Sequence, residues 1–279
     1  MSAYLLHCTR RNAKDNLEAF EVLKRILYDG FLIATDAPYL DYKTNKSKPT
    51  IEGPNNAVCF TEQPLKYFLA TVETDRHYST KERYTEFAIA VRKGDLFRYG
   101  GRPVIYTDKG VLEKLPDDLK YLFVNYDPNA ILDQSRNYQP IDFTHEREWR
   151  VCPNRRVNHS LGLFGQQKTA VPLQLPARER GSGFTTSHPK GPRFAILVDS
   201  EDRRRELKSW IRRKAPQISQ KGSPYLGNYA LPRYWENYAD VLPEAPILSF
   251  EEINDAQYDL TRLEDFINDD FTRTDRSGF

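Results

Sequence analysis

The stretch Tyr4-Leu5-Leu6-His7-Cys8-Thr9 is short and apolar at its start, which is typical of a β-strand. A helix is predicted to follow from Asp15 to Tyr28, with Gly30 as its stop signal. Apolar residues recur at helical spacing along it, with Lys24 on the same face: Leu17, Phe20, Leu23 and Leu27. A strand that leads into an amphipathic helix indicates a domain that mixes both kinds of element.

The other apolar segments are mostly of strand length. Strands are predicted at residues 57–61, 87–91, 103–106, 146–151, 170–173 and 194–198. The run 87–91 is apolar throughout, which indicates a central strand. Residues 36–56, rich in Pro, Lys and Asn, are predicted to form a long loop.

Further helices are predicted after Pro64, between Asp108 and Leu122, and from the Asp199-Ser200 cap to about Lys214. Pro216 is expected to end the last of these. Two capping boxes, Ser249 with Glu252 and Thr261 with Glu264, predict two short acidic helices near the C-terminus. One strand, one helix and then mostly strands predict the α+β fold class.

Composition limits where the protein works. No apolar stretch approaches the length of a membrane span, and the first residues do not resemble a signal peptide. Cys8, Cys59 and Cys152 are too far apart for a metal motif and too few for a disulfide framework. We therefore expect a cytoplasmic protein with reduced thiols, no membrane partner and no bound metal.

Charge is distributed unevenly along the chain. Residues 143–221 hold 17 Lys and Arg against 7 Asp and Glu, whereas residues 222–279 hold 4 against 12. A basic segment of this kind indicates an anionic partner, either nucleic acid or the phosphates of NAD. The alternative is that the acidic segment folds over the basic one. We predict a domain over residues 1–221 and an acidic tail over 222–279 that packs on the domain or on a partner.

Three pieces of sequence carry side chains suited to chemistry. They are His7-Cys8-Thr9 after the first strand, the aromatic strand Val58-Cys59-Phe60-Thr61 that leads into the helix containing Tyr67, and Glu146-Arg147-Glu148-Trp149 on a late strand. Taken singly, each is more often a core or surface feature than a site. Their order and spacing along the chain, taken together, indicate a functional site.

In this order the pieces resemble the H-Y-E class of the ADP-ribosyltransferase superfamily. That class has His-x-Thr on its first strand, then an aromatic strand that leads into a helix, and then a late glutamate. Within the superfamily the chain is similar to the DarT and AbiGi-like phage-defence toxins and to CmdT, over roughly residues 4–152. The resemblance implies an ADP-ribosyltransferase-like fold of split mixed and antiparallel sheets flanked by helices, here with an acidic helical tail.

The resemblance also implies a function. The expected activity is NAD-dependent mono-ADP-ribosylation of nucleic acid, with RNA slightly favoured over DNA, by a bacterial phage-defence toxin that a protein antitoxin neutralises. NAD would be the co-substrate. An enzyme of this fold that acts on protein, and a catalytically inactive binding module, stay open as alternatives.

Site residues follow from the same resemblance. Glu148 takes the place of the catalytic glutamate, which stabilises the oxocarbenium-like centre formed when nicotinamide leaves, and Glu146 would orient the nucleophile or act as its base. The residues expected to bind NAD are His7, Thr9, Phe60, Tyr67 and Arg10. The residues expected to contact the target are Arg136 and Tyr138, in the loop before the glutamate strand, and Arg147.

One departure from the family pattern concerns the pyrophosphate. DarT proteins carry an arginine after the aromatic strand, whereas this chain has Thr61-Glu62-Gln63-Pro64. Arg10, Arg11 and Arg102 are the candidates to replace it. Zincin, Walker and nucleophile-elbow motifs do not occur, since His145-Glu146 is followed by Trp149 where a zincin has its second histidine.

Overall fold

A computed structural model gives the architecture of the chain. It describes residues 4–11, 15–35, 39–41, 46–48, 51–78, 84–126, 144–153, 170–174, 192–219 and 232–255. Within these ranges the protein is mixed α and β, with one large mixed sheet and several helices, so the coarse fold class predicted from the sequence is confirmed. No helix in the described part of the chain is long and apolar enough to cross a membrane.

Thirteen strands are described, and most of them are short. In chain order they are β1 (Tyr4–Cys8), β2 (Phe31–Ile33), β3 (Tyr39–Asp41), β4 (Lys46–Lys48), β5 (Val58–Thr61), β6 (Ala88–Arg92), β7 (Arg102–Pro103), β8 (Ile105–Thr107), β9 (Phe123–Asn125), β10 (Glu148–Val151), β11 (Ala170–Pro172), β12 (Phe194–Val198) and β13 (Ile247–Ser249).

Seven α-helices are also described. In chain order they are α1 (Ala19–Asp29), α2 (Leu65–Tyr78), α3 (Lys93–Arg98), α4 (Lys109–Leu112), α5 (Glu201–Ser219), α6 (Pro232–Val241) and α7 (Phe250–Asp255). Helix α2 begins directly after Pro64, as predicted. Helix α5 passes through Pro216 instead of stopping at Lys214, so that prediction was wrong. The extra turn buries Ile218 in the main core, which offsets the hydrogen bond that proline cannot donate.

The main sheet has the strand order β13-β12-β6-β1-β5-β10-β7. All neighbours are antiparallel except β12 and β13, which are parallel. Strands β6 and β12 are buried along almost their whole length, because apolar residues occupy both faces. One face packs against α1 and the other against α2, so the sheet lies between two apolar clusters.

Strands β1 and β5 meet differently from the other pairs. Strand β1 pairs with β6 at five consecutive positions, but with β5 only at Leu6 and Thr61. On the other side of β5, Thr61 lies opposite Glu148 of β10. The first strand and the glutamate strand are therefore the two neighbours of β5, and their backbones are two strand spacings apart, roughly 10 Å.

Two sequence predictions need correction. Residues 36–56 were expected to be a loop, but they contain the short antiparallel pair β3 and β4. The predicted strand 103–106 is interrupted at Val104, so that β7 joins the main sheet and β8 pairs with β9. Pairing partners that are distant in sequence decide both cases, and local patterns do not reveal them.

The acidic tail, described over residues 232–255, packs on the rest of the protein. Strand β13 extends the main sheet, and the buried Tyr238 donates a hydrogen bond to the Leu27 carbonyl at 2.7 Å. Arg204 of α5 pairs with Glu252 at 2.9 Å. Ser249 caps α7 by accepting the Glu252 amide at 3.2 Å. Part of the acidic segment thus folds over part of the basic segment, while the second predicted capping box lies outside the described residues.

Replacing Gly30 by Ala tests the turn between α1 and β2. Gly30 has φ 67°, and its amide donates to the Ile26 carbonyl at the end of α1. A Cβ is strained in this left-handed conformation, so the free energy of unfolding should fall by about 1 kcal/mol. Urea denaturation measures it. Gly94→Ala is the control, because a Cβ there meets no atom within 4 Å and should not destabilise the protein; equal losses in both variants would contradict the account.

Candidate functional site

His7 lies where β1 and β5 cease to pair. Its Nδ1 is 2.8 Å from the Cys59 carbonyl, which can only accept a hydrogen bond, so Nδ1 carries the proton. The ring also contacts Phe60, with centroids 5.6 Å apart. Burial lowers the pKa of His7 to about 4, assisted by the charge of Arg10. Above that pH the imidazole is neutral, and Nε2 is a hydrogen-bond acceptor.

The depressed pKa of His7 predicts a pH dependence of stability. The unfolded chain binds this proton near pH 6.5, whereas the folded protein resists it down to about pH 4. The stabilising effect of a neutral His7 is therefore complete above pH 6.5 and is lost as the pH falls towards 4. Urea midpoints at pH 7, 5 and 4 should fall more steeply for the wild type than for His7→Gln. Parallel curves would show that His7 titrates normally.

Arg10 is the cation of this region. Its side chain is exposed, and its charge affects the pKa values of His7, Cys8 and Cys59, and that of Tyr84. These groups therefore lie within electrostatic reach of the guanidinium. An exposed arginine beside a neutral imidazole is suited to binding an anionic group such as a phosphate.

Glu146 faces the same group of residues from a 3-10 turn, Thr144–Glu146. Burial raises the pKa of Tyr84, and the negative charge of Glu146 and a hydrogen bond to its carboxylate raise it further. The charge of Glu146 also contributes to the raised pKa of Cys8. Arg10, Tyr84 and Glu146 thus form one group around Cys8 at the end of β1, which we call the β1-end cluster. His7 is the preceding residue on β1, and the charge of Arg10 also acts on it.

Residues that follow β5 fix the turn that carries Glu146. Thr61 Oγ1 donates to the Glu146 carbonyl at 2.5 Å, and Gln63 Nε2 donates to the His145 carbonyl at 2.9 Å. Arg147 then adopts a left-handed conformation, with φ 47°. The strand begins only at Glu148, so the prediction of regular alternation from Glu146 was wrong.

Glu148 is held in a buried ion pair. Its two oxygens accept from Arg150 Nε at 2.8 Å and from a terminal nitrogen of Arg150 at 3.1 Å. Arg150 also donates to the carbonyls of Tyr121 and Phe123. Burial by itself would lower the pKa of Arg150, but the charge of Glu148, the charge of Cys59 and the hydrogen bonds to both together raise it. The charge of Glu148 is therefore neutralised within β10.

His7 and Glu148 do not face each other across one strand. Glu148 lies in the row of Thr61 and Leu6, whereas the His7 ring contacts Phe60, in the next row of β5. Successive rows point to opposite faces of a sheet. The fold therefore brings the two residues to either side of β5, with their side chains on different faces, and Glu146 rather than Glu148 acts on Cys8, the neighbour of His7 on β1.

Tyr106 links the second glutamate to the neighbouring sheet. Its hydroxyl accepts the Glu148 amide at 2.8 Å. Burial raises the pKa of Tyr106 to about 12, and the charges of Glu148 and Glu146 add to the shift. The phenol therefore stays protonated at neutral pH, close to both carboxylates.

The remaining predicted site residues differ in accessibility. Thr9 is buried, and its hydroxyl donates to the carbonyls of Ala19 and Phe87, which indicates a structural role. Phe60 is buried in the main core. Tyr67, on α2, is 68% exposed and thus available for stacking. Arg136 and Tyr138 lie outside the described residues.

Glu62 is a buried charge that sequence reasoning did not single out. It accepts from Lys93 Nζ at 2.9 Å, from the Trp149 indole at 2.9 Å and from Arg147 at 3.3 Å. Burial tends to raise the pKa of Glu62, but these hydrogen bonds and positive charges keep it below its ordinary value. In the sequence, the only sign of this buried charge is a glutamate directly after an apolar strand. Its partners come from α3, from β10 and from the residue before β10, all distant in sequence.

The described part of the chain contains no group of three or more His, Cys, Asp or Glu side chains that could hold a metal ion. Cys8, Cys59 and Cys152 are free thiols. Comparison with protein-family models, with curated proteins and with solved structures found no match to this chain.

Proposed function

We propose that the protein is an NAD-dependent mono-ADP-ribosyltransferase that modifies nucleic acid, with RNA favoured over DNA. The observation that carries the proposal is the end of β1, where the exposed Arg10 acts on the neutral His7 and on Tyr84, and Tyr84 in turn bonds the Glu146 carboxylate. The family and its ADP-ribosyltransferase-like fold are proposed because the order of motifs along the sequence resembles that of the superfamily.

His7, Arg10 and Glu146 each have a chemical role in this proposal. Nε2 of His7 accepts a hydrogen bond from a ribose hydroxyl of NAD, and Arg10 binds the pyrophosphate. Cleavage of the bond between nicotinamide and ribose builds positive charge at the ribose C1 atom, and a fixed carboxylate nearby lowers that barrier. Glu146 supplies this carboxylate, because Arg150 already neutralises Glu148. The bond between C1 and the nicotinamide nitrogen breaks, and nicotinamide leaves with its electron pair. The target nucleophile forms a bond to C1 and passes its proton to the Glu146 carboxylate.

The roles of Glu148 and Tyr106 are then indirect. The ion pair with Arg150 anchors β10 to the carbonyls of Tyr121 and Phe123. Tyr106 holds the first amide of β10. Together they fix the strand from which the turn carrying Glu146 departs, and a catalytic group needs such a rigid support.

NAD labelled in its adenosine part tests the proposal. The protein is incubated with labelled NAD and separate pools of RNA, DNA and protein, and the label in each pool is counted. Label in RNA is the expected result. Label in protein alone would assign the chain to the enzymes that modify proteins. No label and no free nicotinamide would favour an inactive binding module, the reading to which the neutralised Glu148 and the missing family arginine point.

The biological setting follows from the same resemblance. We place the enzyme in the bacterial cytoplasm as a phage-defence toxin that is held inactive by an antitoxin. Expression in cells tests this: the wild type should arrest growth, and Glu146→Gln should not.

A further inference from the structure

An exposed group of aromatic and basic side chains lies beside the glutamate strand, on the opposite face from Glu148. Phe97, at the end of α3, is 49% exposed and meets Trp149 edge to face, with centroids 6.5 Å apart. The guanidinium of Arg102 lies 4.1 Å from the centre of the Phe97 ring. We call Phe97, Trp149, Arg102 and the charged residues bound to them the aromatic–basic surface.

Hydrogen bonds hold this surface together. The Trp149 indole donates to Glu62, which also accepts from Lys93 and Arg147. One guanidinium nitrogen of Arg102 donates to the carbonyls of Phe97 and Gly101, at 2.8 and 2.7 Å. The aromatic rings and cations are therefore positioned before any ligand arrives, which reduces the entropy cost of binding.

The charge of the surface is positive. Lys93 and Arg147 share the single carboxylate of Glu62. Among the described residues Arg102 contacts two carbonyls and the Phe97 ring rather than a carboxylate. Among the described residues of this surface, Lys93, Arg102 and Arg147 thus face the one buried carboxylate of Glu62.

We propose that the aromatic–basic surface binds single-stranded nucleic acid, with a base stacked on Phe97 and phosphates bound by Arg102 and its neighbouring cations. Exposed aromatic rings interleaved with arginines and lysines are how proteins hold unpaired bases and their backbone together. An acidic protein would pair with the cations but would make no use of the half-exposed Phe97 ring.

Position relates this surface to the candidate site. Arg147 lies between Glu146 and Glu148 in the chain and bonds Glu62, and Trp149 follows Glu148. A single-stranded nucleic acid bound here would pass the edge of the main sheet at β7, the last β-strand in the sheet order. The inference deepens the proposed function, on which it rests for the chemistry performed on the bound strand, but binding itself requires no NAD.

Fluorescence anisotropy with labelled 12-nucleotide oligo-U RNA and oligo-T DNA tests the proposal without NAD. Phe97→Ala is expected to weaken binding about tenfold, because stacking is lost. Arg102→Gln should weaken binding and reduce the salt dependence by about one phosphate contact. Arg205→Gln removes an exposed charge from α5, which packs elsewhere, and should bind as the wild type does. Thermal melting checks that every variant is folded.

Several outcomes would overturn the proposal. They are failure of the wild type to bind either oligonucleotide, equal binding by wild type and Phe97→Ala, and displacement of RNA by poly-glutamate at equal charge concentration. The proposed enzyme activity is judged separately, by release of nicotinamide from NAD by the wild type. RNA binding through Phe97 without nicotinamide release would support the nucleic-acid surface and contradict the enzyme proposal. Nicotinamide release without RNA binding through Phe97 would support the enzyme proposal and contradict the nucleic-acid surface.

Discussion

Replacing Glu146 by Gln is expected to reduce the release of nicotinamide from NAD by about 100-fold or more. The amide keeps the size of the side chain and can still accept the hydrogen bond from Tyr84, but it has no charge to oppose the positive centre on the ribose. Nicotinamide release by chromatography measures the effect. Stability should change little, because Glu146 is only partly buried.

Glu148→Gln is the matched comparison, since it removes the same charge two residues away. If folded Glu148→Gln protein is inactive and Glu146→Gln is active, the two roles are reversed and the glutamate that takes the family position is the catalytic one. If both variants release nicotinamide at the wild-type rate, neither carboxylate takes part and the enzyme proposal fails.

Replacing Arg150 by Met is expected to lower the free energy of unfolding by about 3–5 kcal/mol, the usual cost of leaving a buried charge without its partner. Arg150 is 4% exposed and forms a bidentate pair with Glu148, so the variant strands the carboxylate inside the protein. The carbonyls of Tyr121 and Phe123 lose their donor as well. Urea denaturation followed by circular dichroism measures the loss.

The double variant Glu148→Gln with Arg150→Met separates charge from packing. It removes both charges and should recover part of the stability lost in Arg150→Met, since no unpaired ion remains. Arg205→Met, at an exposed pair on α5, serves as the control and should leave the denaturation midpoint unchanged. A double variant less stable than Arg150→Met would show that the pair is not what holds this strand.

Much of the framework could be predicted from local pattern. The apolar runs at β6 and β12, the helix start after Pro64 and the stop at Gly30 all agree with the structure. Each depends on a signal contained within a few residues: an unbroken apolar run, a fixed proline φ, a glycine able to adopt positive φ. The Ser249 cap of α7 belongs to the same class.

The candidate site could be predicted only in part. His7, Arg10 and Glu146 were chosen from the sequence; in the structure the charge of Arg10 acts on His7 and on Tyr84, which bonds Glu146, and their shared role stays a prediction. The sequence pattern put Glu146 and Glu148 on one regular strand, but the left-handed Arg147 ends that regularity. Contacts from Thr61 and Gln63, more than 80 residues away, fix the turn, and no local pattern contains them.

The sequence by itself determined the alternation of short strands and helices, the stop signals, and the residue types available for chemistry, because these depend on near neighbours in the chain. Tertiary structure alone decided that Arg150 neutralises Glu148, that Glu62 gathers Lys93, Arg147 and Trp149, and that the residues around Glu252 lie against α5. The physical reason is that charge pairing and burial depend on distances in space, which folding sets between segments far apart in the chain.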